Sequence, residues 1–241
     1  MTMGDSNKAL YAKMIVDVVI GPVLERLEKK DISVAQTLRA AFAKCDNALP
    51  GFTYDYMRGM LRKGDIHDRF DMCATLLYLG GSQDSEELKI SRPEPTFQEL
   101  SRCATALKKI LSRIPEQIYN RKQFLETIKE IASAIKRLLD AVNRVIAEVP
   151  STDNGSKQIL EERKKEFVRY SKRFSNTLKD FFRDNNQSYF PDEQLVKVSY
   201  TGFTMYVSER TFVINQSVFI SANYLIYQTN VILRCVKHEC C

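Results

Sequence analysis

IKEIASAIKRLLDAVN, residues 128–143, decides the fold. In and around it, Leu125, Ile128, Ala132, Ile135, Leu139, Val142, Ile146 and Val149 recur at steps of three and four without a break. That spacing keeps the apolar side chains on one side of an α-helix and predicts a bundle-type seam from about Arg121 to Val149. A helix with such a stripe must bury it, and the flanking sequence supplies the partners. Upstream, Thr96 and Glu99 have capping-box spacing, and Phe97, Leu100, Ala104, Leu107 and Leu111 follow one face to Pro115. Downstream, Pro150 to Ser156 reads as a loop. A helix over about 157–183 then turns Leu160, Phe167, Tyr170, Phe174, Leu178 and Phe181 inward. A last helix over about 216–237 carries Val218, Ala222, Leu225, Thr229, Ile232 and Val236. Long amphipathic helices with mostly short connections predict an antiparallel four-helix bundle over 96–241.

One segment of that bundle does not fit. Residues 186–213 contain two short runs of β-formers, Leu195–Val198 and Phe203–Val207, around Thr201-Gly202. This is a weak hairpin signal, and because an isolated hairpin is marginal, disorder competes with it.

Residues 8–80 read as a separate domain of short helices. The first, 8–29, carries Leu10, Met14, Val18, Leu24 and Leu27, and Pro22 should kink or split it. Ser33 and Gln36 suggest a capping box for a helix over 34–47 whose apolar face is Val34, Leu38, Ala41 and Phe42. Pro50-Gly51 stops it, and Thr53 starts a short helix with Met57, Met60 and Leu61. Such short helices bury little alone, and a second chain would complete their core. Residues 81–95 read as a linker. Gly80-Gly81-Ser82 and the acidic run Asp84 to Glu87 open it, and Arg92-Pro93-Glu94-Pro95 must be extended. The fold class is therefore all-α throughout.

The scarcity of 9 Gly and 7 Pro in 241 residues fits helices better than a turn-rich β fold. Net charge is +6, and residues 96–184 hold 19 Lys/Arg against 12 Asp/Glu, so the whole positive excess lies in one segment. A local surplus of that kind predicts an anionic partner: an acidic peptide, a membrane surface or nucleic acid. The best apolar run, Met14 to Leu24, is interrupted by Asp17 and Pro22 and is too short for a bilayer span. Scattered cysteines suggest free thiols in a reducing, cytosolic setting.

The positive segment has a pattern. Lys122, Lys129 and Lys136 recur every seven residues on one helix, and Lys165, Lys172 and Lys179 on the next. Seven residues are two turns, so each set forms a stripe. If the stripes flank a shared groove, its cationic walls suit an amphipathic helix with acidic flanks. Alternatively they are solvated faces, partly neutralised by Glu126, Glu130 and Glu166. Nucleic acid is disfavoured, because Phe167 and Phe174 face the core and no aromatics interleave with the lysines.

Signals for chemistry are faint. There is no phosphate-binding glycine loop, no HExxH and no nucleophile elbow, and two His leave little for acid–base work. The chain reads as non-catalytic, without metal or cofactor. Cys235, His238 and Cys240 match no standard zinc spacing. Cys240-Cys241 resembles a double-cysteine prenylation tail but lacks the small-GTPase body on which such tails are read. His67 reads as a surface residue beside Asp65 and Asp68.

ISVAQTLRAAF (32–42), RPEPTFQEL (92–100), IKEIASAIKRLLDAVN (128–143), KKEFVRYSKRFSNTLK (164–179) and SANYLIYQTNVIL (221–233) together resemble the cerebral cavernous malformation 3, or programmed cell death protein 10, family. The resemblance covers the chain from about residue 8, excepting 186–213, where the family has a short connection. It implies a helical dimerisation domain followed by a bundle similar to the focal-adhesion-targeting domain. It implies homodimers, or heterodimers with germinal-centre group III Ste20-like kinases, through positions that fall on Leu38, Ala41, Met60 and Leu61. It implies a groove for acidic leucine-rich helices of malcavernin and paxillin, with basic positions at Lys129, Lys136, Lys172 and Lys179, and membership of striatin assemblies. Those lysines would flank Ala132, Ile135, Phe174 and Leu178. Phosphoinositide contact is a further family property. Cytoplasmic signalling with recruitment to Golgi and plasma membrane follows, with roles in kinase placement and stability, the cytoskeleton, vesicle traffic, tube integrity and cell survival.

Overall fold

The computed structural model describes residues 5–66, 70–82, 86–149, 154–185, 195–200 and 203–240. His67, Cys241 and residues 150–153, where the sequence reading places a loop, lie outside them. The architecture is all-α, as the periodicity predicts. In chain order the helices are α1 (Asp5–Ile15), α2 (Gly21–Glu28), α3 (Ile32–Ala48), α4 (Phe52–Lys63), α5 (Met72–Ser82), α6 (Pro95–Leu111), α7 (Ile114–Gln117), α8 (Arg121–Glu148), α9 (Asn154–Asn185) and α10 (Glu209–Glu239). A π-turn, Val16–Ile20, joins α1 to α2, and a 3₁₀ turn, Glu86–Leu88, follows α5.

The bundle consists of α6, α8, α9 and α10. α8 packs along α6, α9 packs along α10, and α8 meets α9 only sparsely. α10 is buried on most sides, because α5, α6, α9 and α1 pack against it, and its buried side chains include Asn223, Gln228 and Asn230. Its Val218, Ala222, Leu225, Thr229, Ile232 and Val236 are all fully buried. It begins earlier than the sequence suggests, since the Ser208 hydroxyl accepts from Thr211 N–H at 3.2 Å and caps it. The segment before it forms a β-hairpin: β1 (Leu195–Tyr200) pairs antiparallel with β2 (Phe203–Ser208), Tyr200 opposite Phe203. The two runs of β-formers are thus strands, and 209–213 belong to α10.

Pro22 splits the first helix through the π-turn. Proline has no N–H and its ring strikes the carbonyl four residues back. Here Gly21 N–H reaches back to the Val16 carbonyl, one residue further than in an α-helix, so the register widens where the proline needs room. Two other caps differ from expectation. Asp31, not Ser33, caps α3, accepting from Val34 N–H at 3.0 Å, so the helix starts at Ile32 instead of Val34. α6 has no capping box: Pro95 occupies its first turn and the Thr96 hydroxyl donates to Glu148 of α8 instead. Pro115 does not merely end a helix; it sits in the first turn of α7.

Gly80, Gly81 and Ser82 close α5 instead of opening a linker. The glycines permit close helix approach. A Cβ at Gly81 would collide with the Ser112 side chain and the Lys108 carbonyl, and one at Gly80 would lie 3.0 Å from Ile226. α5 consequently lies against α6 and α10, and one continuous core runs from Leu10 to Val236. Polar groups fix this packing. Asp71 accepts from Ala74 N–H at 3.0 Å and from Gln216 at 2.6 Å, and burial pushes its carboxyl above the usual range. Asn223 donates to the Cys73 carbonyl at 2.9 Å, and the Tyr11 hydroxyl lies 2.7 Å from the Cys73 sulfur.

Candidate functional sites: an apolar face and a basic groove

The first site is on α3 and α4. α3 buries only Ala35. Gly51, at φ 93°, turns the chain sharply, and Asp46 in the last turn of α3 accepts from Thr53 N–H at 3.0 Å and from the Thr53 hydroxyl at 2.5 Å. This clamp makes α3 and α4 an antiparallel hairpin. The Phe42 and Tyr56 rings meet edge to face at 6.2 Å across it. Leu38 lies one turn before Phe42 on α3, and Met60 one turn after Tyr56 on α4. Leu38 is 38% exposed and Met60 54%; Ala41 is exposed too, whereas Leu61 is half-buried. Val34 and Tyr56 extend the patch. A contiguous apolar face of this kind marks an association surface. Tyr56 is the part that the sequence reading leaves out, since only Met57, Met60 and Leu61 are placed on the apolar side of this helix.

The second site lies between α8 and α9. The seam on α8 differs from the sequence reading by one residue. The side chains turned into the bundle are Phe124, Thr127, Ile131, Ala134, Leu138, Ala141, Val142 and Val145. The expected row runs beside them: Leu125 and Ala132 are exposed, Ile128, Ile135 and Leu139 half-buried, and only Val142, Ile146 and Val149 buried. The physical reason is close packing. Along α6 the buried row admits small Ala134 and Ala141, and Thr127, whose hydroxyl bonds back to the Gln123 carbonyl at 3.0 Å. The more apolar row is left as a shoulder on the α9 side, where helix–helix contact is sparse.

Contacts at both ends set how α8 and α9 run past each other. Phe124 meets Phe181 edge to face at 5.2 Å, and near the other end Lys164 donates to Asn143 at 3.1 Å. The helices are antiparallel neighbours. On that register Lys179 comes level with Lys129, and Lys172 with Lys136. The shoulder of α8, with Ile128, Ala132 and Ile135, therefore lies between two levels of lysine. All four lysines are exposed.

Phe174 and Leu178 do not join the floor. They are 2% and 7% exposed and belong to the core beneath it. α9 contributes instead the half-buried Val168 and the serines Ser171 and Ser175, whose hydroxyls turn back to the Phe167 and Ser171 carbonyls at 2.9 and 3.1 Å. A row offset by 100° from the α9 core row could have revealed them.

Lys129 forms an exposed ion pair with Glu126 at 2.9 Å. Among the described residues, no carboxylate lies within ion-pair distance of Lys136, Lys172 or Lys179. Four exposed lysines thus stand near the half-buried apolar side chains of Ile128 and Ile135. Elsewhere, no cluster of three or more potential metal ligands occurs among the described residues. Burial holds the Cys235 thiol up at about 11, so it stays protonated. No helix of the described residues is long and apolar enough to cross a membrane.

Comparisons with known proteins agree with this two-part layout. Residues 8–67 match the family description "Programmed cell death protein 10, dimerisation domain", and residues 70–162 match "Programmed cell death protein 10, C-terminal". The chain is also 32% identical over 234 residues to the programmed cell death protein 10 homolog of Caenorhabditis elegans, covering 94% of each. The dimerisation domain carries the exposed apolar face, and it indicates self-association. By both measures the chain belongs to the programmed cell death protein 10 family, a family of non-catalytic adaptors.

Proposed function

We propose that the protein is a dimerising signalling adaptor with two independent contact faces. The α3–α4 face, through Leu38, Ala41, Met60 and Leu61, takes a second copy of the chain or exchanges it for a germinal-centre group III Ste20-like kinase. The α8–α9 groove takes an acidic, leucine-rich helix from a malcavernin-like, paxillin-like or striatin-like scaffold. Joining kinase to scaffold in the cytoplasm would place the kinase at Golgi or plasma membrane and stabilise it.

One observation supports the groove above the rest: Lys129 with Lys179, and Lys136 with Lys172, stand level on either side of half-buried Ile128 and Ile135. The two levels are seven residues apart, about 10 Å along the helices. An incoming helix with apolar side chains on one stripe and carboxylates spaced by two turns meets both requirements at once. Charge reversal of all four lysines to Glu, in the full chain, is expected to weaken binding of an acidic leucine-rich peptide at least ~100-fold while helix content stays unchanged. Unaltered affinity in that variant would sink the assignment.

A second reading, peripheral binding to anionic phosphoinositides, draws on the same exposed lysines. Flotation with vesicles of phosphatidylcholine, with and without phosphoinositide, separates the two. Lipid binding that the acidic peptide fails to displace favours the membrane.

A further inference from the structure

Helix α3 carries half of the association face, yet apolar packing does little to hold it to the bundle. A cleft of about 330 Å³ lies beneath it, with Phe42 and Ala43 of α3 on one side and Val16, Ile20, Leu24 and Tyr227 on the other. Charges span this gap. Arg39 of α3 donates to Glu28 at 3.2 Å and lies 3.7 Å from one carboxylate oxygen of Glu87. The other oxygen of Glu87 accepts from Arg234 of α10 at 3.1 Å, and Arg234 also donates to Asp17 at 2.6 Å.

Glu87 is the node. Its own N–H donates to Glu25 of α2 at 3.3 Å, and Lys237 of α10 donates to the carbonyls of Glu86 and Glu87 at 3.2 and 3.0 Å. One residue of the 3₁₀ turn between α5 and α6 therefore touches α2, α3 and α10. The ladder is graded. At its bundle end Asp17 is only 8% exposed, and Asn230 adds a bond to it at 3.4 Å. Burial pushes the Asp17 carboxyl up, and the Arg234 guanidinium beside it pulls part of the way back. At the α3 end Arg39 and Glu87 are 32% and 44% exposed. The anchor is fixed and the last rung is soft, because a part-exposed pair gains little and is screened.

We propose that Glu87 is a latch: through Arg39 it sets the position of α3 on the bundle, and so how well prepared the α3–α4 face is for a second copy. This rests on the reading of that face as the association surface. A face held in its bound arrangement loses less freedom on binding, so releasing the latch weakens association without removing any contact across it.

The test uses the full chain with Glu87→Gln, Arg39→Gln and the double variant. Hydrogen exchange of α3 amides and self-association by analytical ultracentrifugation are measured on each. Each single variant should speed α3 exchange about two- to five-fold and weaken self-association by a similar factor, with α8 amides unchanged. The double variant should do less than the two singles summed, because both remove the Arg39–Glu87 rung while only Arg39→Gln loses the bond to Glu28 and only Glu87→Gln the bond to Arg234. The exchange measurement is repeated in monomeric Leu38→Asp protein. If Leu38→Asp still self-associates, the face assignment fails, but exchange in α3 still tests the latch. Wild-type exchange of α3 in all three variants overturns the latch, as does faster exchange with undiminished self-association.

Discussion

Two regions of this molecule leave apolar side chains in water, and they do so in different ways. On α3 and α4, Leu38, Ala41, Tyr56 and Met60 stand exposed; α3 buries only Ala35, and α4 is held to its own chain by Thr53 and by Tyr54, which stacks on Tyr11. On α8 and α9, Ile128, Ile135 and Leu139 are only half-exposed, and they flank a row that is fully packed. The first region adds little to the core on its α3 side and leaves its outer face for another chain to cover. The second has its core and offers a shoulder of it between lysines. The first should therefore contribute area and the second charge. The first should also be obligate in character, with stability tied to association, and the second should exchange ligands without touching the fold.

The largest expected effect breaks the first region alone. Leu38→Asp with Ala41→Asp places two carboxylates where burial leaves no partner for them. Each unpaired buried charge costs about 3–5 kcal/mol, so self-association should fall more than ~1000-fold. Because both positions are exposed in the single chain, helix content should hold and acidic-peptide binding at the groove should be unchanged. Sedimentation at several concentrations reads the first, and titration calorimetry with the peptide the second. A dimer that survives the double substitution removes the contrast.

Next in size is a test of which row on α8 is core. Leu138→Ala empties a fully buried position and should lower unfolding free energy by about 2–5 kcal/mol. Ile135→Ala, three residues away on the half-buried shoulder, should cost less than about 1.5 kcal/mol yet weaken peptide binding several-fold. Denaturant melts of the two variants decide the matter. Equal losses of stability would mean that the shoulder is core after all.

That pair of residues also shows how far the sequence can be read. The existence of α6, α8, α9 and α10 follows from three-and-four spacing, and Phe97, Leu100, Ala104, Leu107 and Leu111 lie buried as the spacing requires. Which of two adjacent rows on α8 faces inward does not follow. Both rows repeat at three and four, and the outer one is the more hydrophobic. The inner one has Thr127, Ala134 and Ala141, chosen for close approach to α6 and for a hydroxyl that bonds its own backbone, and no hydrophobicity ranking selects it. The same difficulty put Phe174 and Leu178 on the groove floor when they lie beneath it. Gly80 and Gly81 read as a linker because glycine usually interrupts helices. Their role is visible only once Ile226 and Ser112 are in place beside them. The lysine stripes were legible at once, since a seven-residue period needs no tertiary knowledge. Their pairing across the groove was not, because it depends on the register fixed by Phe124 with Phe181.

The smallest expected effect separates the two regions by salt alone, with no substitution. At 0.1 M ionic strength the screening length is about 10 Å, comparable to the spacing between lysine levels, so all four charges act together on a bound acidic helix. At 1 M it shrinks to about 3 Å, and only direct contacts remain. Peptide affinity should then fall roughly ten-fold. Self-association through Leu38, Ala41 and Met60 buries no charge at its centre and should change only by the few-fold that screening of Arg39 and Glu87 allows. In the Arg39→Gln, Glu87→Gln double variant even that change should vanish, because the one screened element bearing on α3 has been removed. Titrations of both equilibria across the same salt range measure this directly. Parallel salt slopes for peptide and partner would mean that the α3–α4 face, too, works by charge, and the distinction between the two faces would be lost.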